Sequence, residues 1–229
     1  YTTEADFGAA FTQSTIPREK VTFISKCGIQ YPSEMRPLAV KHYDYSADHI
    51  RFSVESSLRN LQTDYLDLLL LHRPSPLMDA TTITTTLETL KKEGKIHDYG
   101  VSNFTPSQIQ LLSSSAAIKW NQIQCSLTHT EALTNGELDF LQASDIGVMA
   151  WSPLGSYFKE TNDAQTRIRP LLDQFQKKYS ASEEQLLLAW LQTTNVWLRF
   201  TTKLINWKKQ RLKNSSTTIL KKNTALWQF

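Results

Sequence analysis

The chain has 229 residues, 40% of them hydrophobic, with 25 Lys+Arg against 22 Asp+Glu. This excludes disorder, a collagen-like repeat and a disulfide-stapled mini-protein, because apolar content suffices for a core while Gly, Pro and Cys are sparse. The net charge of +3 is local: the eight basic residues from Arg199 to Phe229 face no acidic one, so the first 198 residues carry 17 basic against 22 acidic.

In chain order, the first predicted strand is Val21–Cys27. A helix follows, with Ser46 as N-cap, Asp48 in the first turn, and Ile50, Val54, Leu58 and Leu61 on one face. Tyr65–Leu71 is a strand so apolar that it predicts burial on both faces. Thr81–Glu93 carries six threonines, yet Ile83, Leu87 and Leu90 keep helical spacing and Gly94 supplies a stop, so it is predicted as helix. Asp98–Ser102 is the next strand, and Thr105-Pro106 starts a helix with Ile109 and Leu112 inward. Strands Lys119–Cys125 and Ile146–Trp151 follow, then a helix that Ser182 and Gln185 open at capping-box spacing, and a last strand at Val196–Phe200.

Steady strand–helix alternation implies a parallel sheet with helices packed outside it, doubly wound or closed as a barrel. No Gly-, Ser- or Pro-rich linker divides the chain, so residues 1–229 are expected to form one domain. Cys27 and Cys125 make no C-x-x-C pair, which points to a reducing, cytoplasmic compartment. No window approaches the roughly 18 apolar residues of a membrane span. The chain opens on Tyr1-Thr2-Thr3-Glu4 rather than on methionine, which suggests that residues are missing upstream.

In parallel α/β folds the chemistry lies beyond the carboxyl ends of the strands. Those ends are polar here: Lys26, His72-Arg73-Pro74, Ser102-Asn103, Gln122 and Trp151-Ser152-Pro153-Leu154-Gly155. Singly, each has a structural reading, as a solvated charge, a helix cap, a core indole or a turn. Together, in order at successive strand ends, they define a candidate site.

On these residues the chain resembles the aldo-keto reductases. The matching pieces are Ile24–Gly28, Tyr65–Pro74, Gly94-Lys95-Ile96, Gly100–Phe104, Asn121-Gln122 and Ala150–Gly155. The resemblance implies a (β/α)8 TIM-type barrel that reduces aldehydes and ketones with NADPH, NAD not being excluded. It gives Lys26 the role of lowering the pKa of the proton-donating tyrosine, and His72 that of orienting the carbonyl. Ser102, Asn103 and Gln122 match the residues that hold the nicotinamide carboxamide, and Trp151 the aromatic under its ring. Ser152, Leu154 and Gly155 match the pyrophosphate loop, and Thr202-Lys203 a later cofactor-binding stretch. No metal is implied.

The resemblance also places the family's Asp and Tyr just before a Tyr-x-x-Glu stretch like Tyr1–Glu4, so the chain is expected to lack them and to hold about six of the eight barrel strands. After Leu191 it departs from the family, with Phe200 in place of Gly and Asn206 in place of the Arg that binds the 2′-phosphate. An inactive nucleotide-binding or interaction subunit on the same scaffold, or a degenerate fragment, is the alternative. The basic tail with Trp197, Trp207 and Trp227 carries no nucleic-acid-binding motif and reads as a solvated face. A small-molecule carbonyl substrate is the expected partner, with neither nucleic acid nor membrane. The oligomeric state is left open.

Overall fold

A computed structural model describes residues 3–32, 40–114, 117–159, 163–194 and 196. The elements run α1 (Thr3–Thr12), β1 (Ile24–Cys27), β2 (Ile29–Gln30), β3 (His42–Tyr43), α2 (Ala47–Leu61), β4 (Leu66–Leu71), α3 (Ala80–Lys92) and β5 (Ile96–Ser102). They continue with α4 (Pro106–Ser113), β6 (Trp120–Gln124), α5 (Glu137–Ala143), β7 (Gly147–Trp151), α6 (Asp163–Tyr179) and α7 (Glu183–Leu191). Five strands form one sheet in the order β1-β4-β5-β6-β7, and β2 and β3 form a separate antiparallel pair. The alternation therefore yields the parallel α/β sheet that the sequence implies. Two compact units divide the chain within β6, Tyr1–Asn121 and Gln122–Phe229.

In the first unit β4 lies between β1 and β5, parallel to both, with Lys26 opposite Leu70 and Leu68 opposite Asp98. Leu66 and Leu68–Leu71 are each at most 2% exposed, as burial on both faces requires. Ile50 and Val54 of α2 and Ile83, Leu87 and Leu90 of α3 are fully buried, and each contributes about 1.5–3 kcal/mol of apolar burial. The threonines of α3 are accommodated because Thr84, Thr86 and Thr89 each donate to the carbonyl four residues earlier, at 2.7–2.8 Å.

On the inward face of α2, Ser57 is buried where Leu58 is only half-buried. Its hydroxyl donates to Glu4 Oε1 at 2.9 Å, as does that of Ser25 at 2.6 Å, and this ties α1 to α2 and β1.

β1 begins at Ile24 rather than at Val21 because side chains capture the preceding backbone. Arg18 Nη1 donates to Val21 O at 2.7 Å, and Phe23 N–H donates to Asp67 Oδ2 at 2.7 Å. Conversely, β5 starts two residues before the predicted Asp98, since Leu66 pairs with Ile96.

In the second unit α6 and α7 share a cluster of Tyr157, Ile168, Leu172, Phe175, Leu186 and Leu187. The sequence pattern does not predict α6, whose Pro170 interrupts the reading, but Ile168, Leu172 and Phe175 still share one helical face. It also misses α1, α5 and the β2–β3 pair. The capping boxes at Thr105/Gln108 and Ser182/Gln185 are both formed. Val196 is buried, but the rest of the predicted strand Val196–Phe200 lies outside the described residues. No described helix is long and apolar enough to cross a membrane.

Candidate active site

The first unit brings Lys26 and His72 to the ends of neighbouring parallel strands. His72 N–H donates to Cys27 O at 3.0 Å, so the β1–β4 ladder runs one step past the last strand pair and fixes where the imidazole starts. Successive strand side chains point to opposite faces, which separates half-buried Lys26 from buried Ser25 and Cys27. Burial holds the Lys26 ammonium below its ordinary pKa, and the Arg73 guanidinium adds to this. The same causes bring His72 down to about 4: burial first, then the charges of Lys26, Arg73 and Lys41. His72 is therefore a neutral imidazole at neutral pH, able to exchange hydrogen bonds without carrying charge.

At the end of β5 the chain turns through Asn103, whose φ of +60° lies in the left-handed region that Asn tolerates better than most side chains. Its Nδ2 donates to the hydroxyl of buried Ser102 at 2.8 Å. Asn121 Nδ2 donates to Phe104 O at 3.0 Å and so braces the loop that follows.

The second unit holds Gln122, half-buried in β6, and Trp151, half-buried at the end of β7. The backbone after Trp151 is a tight turn: Ser152 and Gly155 have φ of +49° and +61°, and Gly155 N–H donates to Ser152 O at 2.7 Å. Only glycine fits at 155, since a Cβ there would stand 1.9 Å from Thr128 Oγ1 and 2.6 Å from Ser126 Oγ. Thr128 Oγ1 accepts from Ser156 N–H at 3.2 Å and holds the turn from the other side. Leu154 packs on the Tyr157 cluster, so its side chain anchors the turn while its backbone lies within it.

Among the described residues, Lys26, His72, Ser102, Asn103 and Trp151 sit at or just past strand ends and Ser152, Leu154 and Gly155 in the turn after β7, whereas Gln122 lies in the middle of β6 rather than at its end. Lys26, His72, Ser102 and Asn103 gather in the first unit, and Gln122, Trp151, Ser152, Leu154 and Gly155 in the second. Thr202 and Lys203 lie outside the described residues. Taken one by one, the amide and hydroxyl groups are of a kind that complements a carboxamide, and the indole of a kind that stacks on a planar ring. Sequence does not single out Tyr45, Ser126 and Thr128, because their contacts with Arg73, Gly155 and Ser156 span about thirty positions of chain.

The chain belongs to the aldo/keto reductase family, whose sequence model matches residues 1–208. Oxidoreductase YcsN of Bacillus subtilis, itself uncharacterised, is 42% identical over 199 residues, 84% of this chain and 66% of its own length. The 6-dehydroglucose reductase of Agrobacterium fabrum is 46% identical over 158 residues, 68% of this chain and 53% of its own. The chain thus spans 53–66% of the length of these relatives. An aldo/keto reductase of Klebsiella pneumoniae, solved with NADP and acetate, superimposes with a TM-score of 0.63 at 27% identity, covering 82% of this chain and 60% of the other. The glycerol dehydrogenase of Gluconobacter oxydans shares the fold, with a TM-score of 0.74 at 21% identity over 84% of this chain and 65% of its own.

Proposed function

We propose that the chain is the larger part of an NADP(H)-dependent carbonyl reductase that turns aldehydes or ketones into alcohols. When bound, the nicotinamide supplies the hydride that adds to the carbonyl carbon, and a proton goes to the oxygen. Neutral His72 orients that oxygen by hydrogen bonding, and Lys26 sets the acidity of the proton donor. As the family resemblance assigns them, Ser102, Asn103 and Gln122 would hold the carboxamide, Trp151 would lie against the ring, and the Ser152–Gly155 turn would receive the pyrophosphate.

The observation that carries the reading is the pairing of a half-buried lysine with a histidine kept neutral at the ends of adjacent parallel strands. The relatives' names favour small carbonyl compounds, with 6-dehydroglucose a natural first candidate. The partner is then a small molecule rather than nucleic acid or a membrane. The two free, buried cysteines suit a reducing cytoplasm.

The test is NADPH oxidation by the gene's full-length product with 6-dehydroglucose and a panel of aromatic aldehydes. Turnover that Lys26→Met abolishes, with cofactor binding retained, is the expected result. Turnover that survives this substitution overturns the assignment.

A further inference from the structure

Tyr45 lies between β3 and α2, away from every motif, and is only 7% exposed. The segment around it is pinned at both ends. Asp44 N–H donates to Gly28 O at 2.8 Å, and Asp44 Oδ1 accepts from Ser46 N–H at 2.9 Å. Ser46 in turn caps α2, its hydroxyl accepting from His49 N–H at 3.2 Å.

The Tyr45 ring then lies directly on Gly28. That residue has a φ of +105°, and a Cβ on it would stand 2.2 Å from Tyr45 Cε1, so the ring occupies the space a side chain would need. At its far end the phenol reaches the backbone of Arg73: the hydroxyl donates to Arg73 O and accepts from Arg73 N–H at 3.2 Å. One hydroxyl thereby satisfies both polar groups of the residue after His72. On the other side of the same stretch, His72 N–H is held by Cys27 O at 3.0 Å.

We propose that Tyr45 is a positioning residue for the reaction: its buried hydroxyl clamps the His72–Arg73 backbone against the end of β1, so that His72 and Lys26 keep one fixed relation. The inference rests on the reading of those two residues given above.

A clamp on Arg73 acts on charge as well as on position. The groups that face His72 are Lys26 from β1, Lys41 just before β3 and Arg73 beside it, while Cys27 and Tyr43 face Tyr45. Arg73 bears on both Lys26 and His72, and a pinned backbone limits where its guanidinium can move. Burial keeps the Tyr45 phenol well above the ordinary tyrosine range, so it remains a hydrogen-bond donor throughout the neutral range. Without the clamp, burial of His72 relaxes and its pKa rises from about 4 toward its ordinary 6.5.

The test is Tyr45→Phe, which keeps the ring on Gly28 and removes only the hydroxyl. In the full chain, NMR titration of the His72 ring should show its midpoint raised by about one unit. In turnover assays kcat should fall about tenfold while KM stays within about twofold, the pattern of a group that acts on the reacting geometry rather than on binding. A tyrosine of purely structural importance would lower the melting temperature and leave the His72 titration in place, and that result overturns the proposal.

Absence of turnover on every carbonyl in the wild-type full-length gene product refutes the reductase reading instead, and the His72 titration still decides the clamp. If Tyr45→Phe does not fold, hydrogen exchange at the Arg73 amide of the wild-type chain decides: slow exchange supports the clamp, and exchange at the unfolded-chain rate overturns it.

Discussion

The ends of β1 and β4 and the turn after β7 are built by different means. At Lys26 and His72 the working property is charge: partial burial and neighbouring cations push both groups toward their neutral forms, and hydrogen bonds to Cys27 and from Tyr45 hold the backbone. From Trp151 to Gly155 no residue is ionisable, and the working property is backbone shape, set by two left-handed residues and by Thr128. On the function proposed above, the first region would need tuned acidity to act on a proton, while the second would need a backbone shape with no Cβ in the way to take a phosphate group. Substitutions in the first should therefore alter turnover and pH dependence, and those in the second should alter cofactor affinity.

The sharpest separation comes from Lys26→Met. Turnover should drop by at least about 100-fold while NADPH affinity, read by fluorescence titration, stays within about twofold. A large loss of affinity would show that charge at β1 serves binding after all.

Gly155→Ala should do the reverse. Its methyl group would overlap Thr128 Oγ1 at a φ of +61°, a strain of about 1–3 kcal/mol, so NADPH affinity falls about tenfold or more while the His72 titration is unaltered.

Of these two regions, only the first contributes to the pH dependence of stability. His72 has a folded pKa of about 4 against an ordinary 6.5. As pH falls through 6.5 the unfolded chain takes up a proton that the folded chain refuses, so stability declines down to about pH 4 and the loss then levels off. Discounted for partial exposure, the loss is about 1–2 kcal/mol. It should appear as the difference between urea melts of the wild type and His72→Gln at pH 7 and pH 4, and equal pH dependence in the two would remove His72 from the account.

The smallest effect is expected from Thr128→Val. It removes the acceptor for Ser156 N–H and should cost about 0.5–1.5 kcal/mol, seen as a severalfold weaker NADPH complex with kcat unchanged.

Much of the architecture can be read from local pattern. β4 is legible because nearly every residue is apolar, α4 because an N-cap threonine is followed by proline at the first helical position, and α7 because Ser182 and Gln185 stand at capping-box spacing. Where the reading fails, a non-local contact has overridden the pattern. Val21–Phe23 looks like strand until Arg18 and Asp67 take up its backbone groups, and Leu58 looks inward until Glu4 draws Ser57 into that place. α6 is hidden by Pro170, and the β2–β3 pair by strands too short to show a period.

The same division holds for the site. Sequence alone offered Lys26, His72, Ser102, Asn103, Gln122, Trp151 and the turn through Gly155 as candidates, from polar residues in or just after predicted strands together with the family resemblance. It could not show that Tyr45 reaches Arg73 or that Thr128 supports Ser156, each across 28 positions of chain. Those contacts depend on how strands register and loops return, which no local period encodes. Residue types and their order pointed to the family and the candidate chemistry; the tertiary structure decided that Lys26 and His72 are partly desolvated beside further cations, and it is burial, a property of the folded chain, that most lowers both pKa values.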